Sequence, residues 1–266
     1  MKIGFIGAGA MAEAMLSGII KNNIAASQDI FLSDHKQSRC QYLIDTYGVQ
    51  ASVGAAGFIS KVDLLFLAVK PQVVKVAIEE ICPQINPKTI VVSVVAGLTT
   101  EVLEQHFLQQ PVIRVMPNTP VAVGAGMSAV SLGSKAAPAD GALVEKIFGA
   151  VGKAIMVKES AMDAVTGLSG SGAGYGFLII DALADAGVHA GLPRASAITL
   201  AAQTLLGAAK MVLETGMHPA ALRDQVTSPA GTTIAGIRVL EQQGVRGALM
   251  DAVQAAADKS KAMGKK

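Results

Sequence analysis

The first part of the chain repeats one arrangement, in which a short and almost continuously apolar run is followed by a segment with helical spacing of apolar residues. The runs are Ile3–Ile6, Ile30–Leu32, Val62–Val69, Thr89–Val95 and Val112–Val115. Runs of this kind are typical of strands that are buried on both faces of a parallel sheet. Because helical stretches separate them, the pattern predicts successive βαβ units and an α/β domain with a parallel-dominated sheet.

The second part of the chain has a different pattern. A helix over 139–150 and a last strand near 153–157 close the α/β region, and from Glu159 the sequence is Ala-rich with helical periodicity and almost no strand signal. We therefore predict two domains, a nucleotide-binding domain at 1–157 and an all-helical domain at 158–266.

The first apolar run passes through a glycine-rich turn into a helix, which is the pattern of a dinucleotide site. Gly7 permits a tight turn, Gly9 lets the backbone approach a pyrophosphate, and the small Ala12 lets the helix lie close to the strand. The predicted cofactor contacts in this turn are Ile6, Gly7, Ala8, Gly9, Ala10 and Met11. An ordinary βα turn is the alternative interpretation.

The end of the second strand carries two opposing signals for the cofactor. A carboxylate at this point accepts a hydrogen bond from the ribose 2′-hydroxyl of NAD, and Asp34 supplies one. Hydroxyls and cations suit the 2′-phosphate of NADP, and Ser33, His35, Lys36 and Arg39 supply these. Ser33 or Asp34 can also cap the next helix, and the two roles can coexist.

Composition excludes several other classes of protein. The 266 residues carry a formal charge of only +2, which gives no electrostatic case for nucleic acid. No uninterrupted apolar run reaches the length of a membrane span, so we expect no membrane association. Cys40 and Cys82 lack metal-ligand spacing, which indicates a cytoplasmic protein with no metal.

A run of small residues at 167–172 invites comparison with the nucleophile elbow of hydrolases. The elbow requires glycine in the fifth position, where this chain has Ser171, and no strand precedes the run. We therefore expect close packing of helices here and no serine nucleophile.

Six segments in this order give the chain a specific resemblance. They are 7–12 (GAGAMA), 67–72 (LAVKPQ), 114–120 (RVMPNTP), 167–172 (GLSGSG), 182–187 (ALADAG) and 224–236 (DQVTSPAGTTIAG). The chain resembles the pyrroline-5-carboxylate reductases, which catalyse the last step of proline biosynthesis. The resemblance covers nearly the full length, and the last segment is the most specific.

The resemblance implies a Rossmann-type N-terminal domain followed by a helical domain through which subunits interlock as dimers, often five dimers to a decamer. The implied reaction converts L-1-pyrroline-5-carboxylate to L-proline with NADPH or NADH. The nicotinamide end of the cofactor would lie against Ala68, Val69, Lys70, Pro71, Val94, Val95 and Ala96. Ser33 would lie at the adenosine 2′-position, and Lys70 and Thr233 would be the catalytic residues.

The same resemblance implies that the substrate is bound by Asn118, Ser228, Gly231, Thr232 and Thr233. The segment 228–233 is a turn that enters a helix, with free N–H groups and two hydroxyls suited to a carboxylate. Thr233 is the candidate to hydrogen-bond the imine nitrogen or to assist its protonation.

Each of these roles has a plain structural alternative. The late turn can be an ordinary helix cap, Lys70 a solvated strand end, and Asn118 a rigid turn whose side chain serves the backbone. Other functional classes also stay open: a reductase of another cyclic imine, an enzyme like the β-hydroxyacid dehydrogenases, or a non-catalytic NAD(P)H sensor.

The chain departs from the family pattern at positions with physical consequences. Ala230 stands where glycine is common, so a positive φ there would be strained. Asp34 places a negative charge where a 2′-phosphate would lie. Ala55 replaces a common asparagine on the adenine side, and Gly172–Tyr175 lacks the usual proline.

Overall fold

The apolar runs form strands in the core of a single sheet, as their lack of polar residues predicts. The structure is a computed structural model, and it describes residues 1–264. The strands are β1 (Ile3–Ile6), β2 (Ile30–Ser33), β3 (Gln50–Ser52), β4 (Leu64–Leu67), β5 (Ile90–Ser93), β6 (Val112–Pro117), β7 (Gly126–Leu132) and β8 (Gly152–Met156).

The α-helices alternate with these strands and then continue alone. They are α1 (Ala10–Lys21), α2 (Gln37–Tyr47), α3 (Val74–Ile81), α4 (Thr100–His106), α5 (Pro138–Gly149), α6 (Met162–Val165), α7 (Gly172–His189), α8 (Arg194–Thr215), α9 (Pro219–Gln225), α10 (Thr232–Gln242) and α11 (Val245–Met263). After β8 the described residues contain no further strand, so the predicted helical character of the second part is confirmed.

The strand order in the sheet is β3-β2-β1-β4-β5-β6-β7-β8. Strands β1 to β6 pair in parallel, β7 is antiparallel to β6, and β8 is parallel to β7. The predicted parallel-dominated sheet is confirmed. The strand order changes direction at β1, and in sheets of this kind ligands bind beyond the carboxyl ends of the strands at this switch point.

The sequence pattern did not predict the antiparallel strand β7. Its connection from β6 is a single turn that begins at Asn118 and ends near Gly126. A parallel crossover needs a dozen or more residues, so a link this short forces the next strand to run back along its neighbour.

Helices cover both faces of the sheet because neighbouring strand residues point in opposite directions. Phe5 and Phe66 face one side, where their rings stack with centroids 4.8 Å apart and where α1 and α5 pack. Leu65 and Leu67 face the other side and pack with residues of α3 and α4. The two layers hold the carboxyl edge of the sheet in place.

The chain divides into two compact units. The first comprises Met1–Ser171 and the described residues from Ala255 onward, and the second comprises Gly172–Gln254. In the first unit, the Ser260 hydroxyl donates a 2.7 Å hydrogen bond to the Asp163 carboxylate, and Met263 packs against Gly97. In the second unit, α7 and α8 pack together, and the Tyr175 hydroxyl donates to the Ala252 carbonyl.

Helix α8 is long and apolar enough, by length and composition alone, to cross a membrane, and 11% of its most apolar window is buried within the chain. The expectation from the sequence concerned uninterrupted apolar runs, and α8 contains none of that length because Gln203 and Lys210 interrupt its 22 residues. The expected lack of membrane association stays a prediction.

Candidate functional site

The glycine-rich turn directly follows β1 at the switch point of the sheet. Gly7 has φ +92°, and a Cβ at this position would lie 2.7 Å from the Ala68 carbonyl oxygen. Its N–H donates to the Ser33 carbonyl at 2.9 Å. Only glycine fits both the conformation and the space, so the turn is fixed by its neighbours on β2 and β4.

Gly9 and the start of α1 form an open cradle beside this turn. A Cβ on Gly9 would meet no atom within 4 Å. Among the described residues, no side chain caps the start of α1, so the N–H groups of its first turn remain available to a ligand. Ala12 is fully buried against the sheet. An empty approach to uncapped N–H groups at a helix start fits the pyrophosphate of a dinucleotide.

Ala8, between the two glycines, is held on both sides by charged residues. Its N–H donates to the Asp34 carboxylate at 3.1 Å, and its carbonyl accepts from Arg39 Nε at 2.7 Å. Both polar backbone groups of Ala8 therefore have protein partners. Ala8 therefore shapes the loop, its predicted contact with the cofactor stays a prediction, and the backbone donors without a protein partner begin at Gly9.

Arg39 also ties α2 to α1 through Glu13. Its guanidinium forms a hydrogen-bonded ion pair with the Glu13 carboxylate and lies 5.1 Å from the centroid of the Tyr42 ring. The hydroxyls of Tyr42 and Tyr47 also donate to Glu13, at 3.1 and 3.0 Å. Burial acts to raise the pKa of Glu13, but the hydrogen bonds from Arg39 and the two tyrosines outweigh it, and the pKa is lowered.

The sequence did not reveal this use of Arg39. The sequence offers Arg39 as a cation for a 2′-phosphate, whereas in the structure Arg39 binds the Ala8 carbonyl and the Glu13 carboxylate on α1. The only available signal was an acidic residue in the first turn of α1, and its partner lies 26 residues further along the chain.

Ser33 does not present its hydroxyl at the surface of the carboxyl edge. The residue is 7% exposed, and its hydroxyl lies 3.5 Å from the Phe5 carbonyl inside the sheet. The expected place of Ser33 at the adenosine 2′-position stays a prediction, and its buried hydroxyl does not support it. The next residue, Asp34, has a carboxylate that accepts from the N–H of the exposed Lys36, which stands immediately before α2.

The residues predicted to border the nicotinamide follow β4 and β5. Pairing of β1, β4 and β5 places these strand ends beside the glycine-rich turn: Ala68 N–H donates to the Ile6 carbonyl at 2.8 Å, and Val94 N–H to the Leu67 carbonyl at 3.1 Å. Lys70 and Pro71 are exposed, Val69 and Ala96 are half-buried, and Val95 is buried. The structure thus brings the predicted cofactor residues of β1, β4 and β5 to one edge.

The side chain of Asn118 forms hydrogen bonds with two backbone groups. Its carbonyl oxygen accepts from Met127 N–H at 2.9 Å, and its amide donates to the Ser169 carbonyl at 3.3 Å. The alternative of a rigid turn therefore describes Asn118 better than the predicted contact with substrate. Nearby, Gly170 closely approaches Met116 of β6, so the small residues of this segment serve packing, though against a strand and not a helix.

The late turn belongs to the second unit and leads into α10. Gly231 N–H donates to the Ser228 carbonyl at 3.0 Å, and a Cβ on Gly231 would lie 2.3 Å from the Ser228 hydroxyl oxygen. Thr232 and Thr233 are the first two residues of α10, and both are exposed. No described side chain caps this helix, so its first N–H groups and two hydroxyls are open to an anionic ligand.

Ala230 adopts the left-handed conformation, with φ +57°. The strain expected for alanine in place of glycine is therefore present. Non-glycine residues in this region cost about 1–2 kcal/mol, and such strain persists where the surroundings fix the backbone.

Replacing Ala230 with glycine is expected to raise the free energy of unfolding by about 1 kcal/mol, because glycine adopts positive φ without the Cβ clash. Urea unfolding of the variant and the wild-type protein measures the difference. Ala221→Gly, inside helix α9, is the matched control and is expected to lower stability, since glycine weakens a helix interior. An Ala230→Gly protein less stable than the wild type would contradict the strain.

Comparison with known proteins covers both halves of this arrangement. Residues 159–263 match the family model for pyrroline-5-carboxylate reductase dimerisation, and residues 2–97 match a model described as NADP oxidoreductase, coenzyme F420-dependent. A pyrroline-5-carboxylate reductase from Arabidopsis thaliana is 47% identical over 98% of this chain and 94% of its own length.

Solved structures agree with the sequence comparison. The structure of a pyrroline-5-carboxylate reductase from Coxiella burnetii has a TM-score of 0.93 at 34% identity, covering 100% of this chain and 99% of that one. A pyrroline carboxylate reductase from Plasmodium falciparum with NADP bound has a TM-score of 0.88 at 31% identity, covering 99% and 98%.

The chain belongs to the pyrroline-5-carboxylate reductase family.

Membership of this family confirms the fold predicted from the sequence, a Rossmann-type domain followed by a helical dimerisation domain. The glycine-rich turn of the first unit and the late threonine turn of the second are the two regions that the resemblance to this family had singled out. Among the described residues, no group of three or more His, Cys, Asp or Glu side chains is suited to holding a metal.

Proposed function

We propose that the protein reduces L-1-pyrroline-5-carboxylate to L-proline with NADPH or NADH, as an oxidoreductase of proline biosynthesis. The observation that carries this proposal is family membership along the whole chain, with both the dinucleotide cradle and the late threonine turn intact. No observation favours the other cyclic-imine reductase, the β-hydroxyacid dehydrogenase-like enzyme or the sensor.

The first unit supplies the cofactor site in this proposal. Gly9, Ala10 and Met11 offer backbone N–H groups to the pyrophosphate, and Asp34 and Lys36 lie toward the adenosine end. The segments 68–71 and 94–96 border the nicotinamide at the ends of β4 and β5. When bound, the reduced nicotinamide supplies a hydride to the imine carbon.

The second unit supplies the substrate site. Ser228, Gly231 and Thr232 hold the substrate carboxylate at the start of α10, where N–H groups and hydroxyls favour an anion. The Thr233 hydroxyl hydrogen-bonds the ring nitrogen and relays the proton that it gains as the neighbouring carbon is reduced. Lys70 keeps a positive charge at the carboxyl edge, facing the negative charge of the substrate.

A steady-state assay tests this function. Oxidation of NADPH or NADH, followed at 340 nm with L-1-pyrroline-5-carboxylate as substrate, should proceed and yield proline in equal amount. Absence of turnover with both cofactors, in protein that still binds NADPH, would favour the sensor. Faster turnover of a different cyclic imine would favour another reductase of the same chemistry.

We also propose that the protein is a homo-oligomer with interlocked helical domains, a dimer or five dimers in a decamer. Support comes from the dimerisation family model and from the large apolar side chains of the second unit that a single chain leaves exposed. Among them are Phe177 at 64%, Leu178 at 70% and Leu213 at 60%. Apolar side chains on this scale indicate a surface that another protein covers, and the apolar face of α8 belongs to it.

The resemblance to the family implies an active site in which the helical domain of one subunit meets the nucleotide domain of another. If the site is shared in this way, dilution below the dissociation constant of the dimer is expected to abolish activity. Specific activity measured against enzyme concentration, with sedimentation to determine the subunit count, checks this. Carrier protein in every sample controls for adsorption to surfaces. Full specific activity in a sedimenting monomer would contradict the shared site.

We keep the domain boundary at residue 157, with the NAD(P)-binding domain at 1–157 and the dimerisation and substrate domain at 158–266. The dimerisation family model, which begins at residue 159, supports it. The last two residues of the second domain lie outside the described ones. We further propose a cytoplasmic location without membrane association, which is consistent with two free cysteines and an amino-acid biosynthetic role.

A further inference from the structure

The Asp34 carboxylate is held in place at the carboxyl end of β2. One oxygen accepts from Ala8 N–H at 3.1 Å, and the other accepts from Lys36 N–H at 3.0 Å. The side chain is only 13% exposed. A carboxylate anchored from both sides cannot swing away from a ligand that arrives at this edge, so its charge is a fixed feature of the adenosine end.

Arg39, the strongest cation nearby, is already neutralised. Its Nε binds the Ala8 carbonyl, and its Nη2 binds the Glu13 carboxylate, which also accepts from two tyrosine hydroxyls. Arginine recognises phosphate through paired N–H groups, and the Nε and Nη2 pair of Arg39 is already bound to the Ala8 carbonyl and the Glu13 carboxylate.

The remaining charges near Asp34 do not favour the 2′-phosphate of NADPH. Once Arg39 and Glu13 compensate each other, Asp34 faces the exposed Lys36 and an 80% exposed His35, whose Nδ1 lies 3.2 Å from the Asp34 carboxylate. Solvated side chains of this kind interact weakly compared with an anchored one. Among the described residues around Asp34, the charges therefore leave no surplus positive charge for a 2′-phosphate.

We infer that Asp34, with Arg39 engaged by Glu13, makes the protein selective for a cofactor whose adenosine ribose carries a free 2′-hydroxyl, NADH in preference to NADPH. The inference rests on the proposed function and specifies its cofactor. A carboxylate accepts a strong hydrogen bond from a ribose hydroxyl and repels a phosphate at the same position.

Kinetics of the wild-type protein give the first test. At saturating substrate, the kcat/KM for NADH is expected to exceed that for NADPH by about tenfold. NADH gains a charge-assisted hydrogen bond from its ribose hydroxyl to Asp34, and it avoids the repulsion between Asp34 and a 2′-phosphate. A kcat/KM for NADPH equal to or above that for NADH would overturn the inference.

Asp34→Ser removes the charge and keeps a hydroxyl that can accept from Lys36 N–H. The ratio of kcat/KM for NADH to that for NADPH is expected to fall about tenfold or more. Asp45→Ser removes one negative charge from an exposed position on the same α2 helix and is expected to leave the ratio unchanged. A ratio unchanged in Asp34→Ser, or shifted equally in both variants, would overturn the inference.

Two further variants keep the test decisive if Asp34→Ser fails to fold. Asp34→Asn retains the shape of the side chain and should lower the ratio in the same direction. Glu13→Gln still accepts from the tyrosines but frees the charge of Arg39, so NADPH use should rise several-fold. If neither variant moves the ratio, the inference is wrong.

Binding measurements distinguish a failure of this inference from a failure of the proposed function. Dissociation constants for NAD⁺ and NADP⁺, measured by calorimetry, report the selectivity without any turnover. A protein that prefers NAD⁺ but does not reduce pyrroline-5-carboxylate would retain this inference and lose the proposed function, whereas an active enzyme that prefers NADP⁺ would do the reverse.

Discussion

Thr233→Ala is expected to lower kcat/KM for L-1-pyrroline-5-carboxylate by about 10²-fold, while the dissociation constant for the cofactor stays within twofold of the wild-type value. The hydroxyl stands in the first turn of α10, exposed and beside uncapped N–H groups. In the proposed function its loss removes a hydrogen bond to the reacting ring and a path for the proton, effects that typically amount to about 10²–10⁴ in rate. Steady-state kinetics and cofactor titration measure the two quantities.

Conservative variants separate the hydroxyl from the shape of the side chain. Thr233→Ser keeps the hydroxyl and should retain most of the activity, whereas Thr233→Val keeps the shape and should behave like alanine. Thr46→Ala, at an exposed position on α2, controls for a general effect of losing a threonine. Wild-type kinetics in both Thr233→Ala and Thr233→Val would remove Thr233 from the site.

Gly9→Ala is expected to weaken binding of the nicotinamide cofactor by at least about tenfold while changing stability little. A Cβ at this position meets no protein atom within 4 Å, so the folded chain has room for it. The same methyl group would enter the space beside the uncapped start of α1 that the pyrophosphate needs. Calorimetric titration with the cofactor, together with urea unfolding, measures both effects.

Gly7→Ala is expected to give the opposite pattern, since its φ of +92° and a Cβ placed 2.7 Å from the Ala68 carbonyl oxygen disrupt the fold itself. Gly149→Ala, at an open position at the end of α5, is the matched control for adding a methyl group. Unchanged cofactor binding in Gly9→Ala would show that the pyrophosphate lies elsewhere.

The strands with continuously apolar runs, and the helices that follow them, were predictable because their signals are local. An apolar run such as Leu64–Leu67 can only be buried on both faces, and glycine spacing at 7 and 9 restricts the backbone to a turn. The strain at Ala230 was also predictable from a local signal, because the cost of a positive φ depends on the type of the residue itself.

The partners of individual side chains were not predictable in this way. Arg39 bonds to Ala8, 31 residues earlier in the chain, and Asn118 bonds to Ser169, 51 residues later. Helical or strand spacing carries no information about such pairs, because they form only when the sheet order brings distant segments together. The hydrogen-bond partners of Ser33, Ala8 and Asn118 could not be predicted for this reason, and their expected contacts with cofactor or substrate stay predictions.

The sequence by itself therefore determined the two-part architecture and the glycine-rich turn, because burial periodicity and backbone restriction act within a few residues. It indicated the family through the resemblance of six motif segments. Only the tertiary structure decided the reversal of β7, the engagement of Arg39 by Glu13 and the anchoring of Asp34. Each of these depends on which strands and helices become neighbours, and hydrogen-bond and charge energies are set by distances that a linear pattern does not contain.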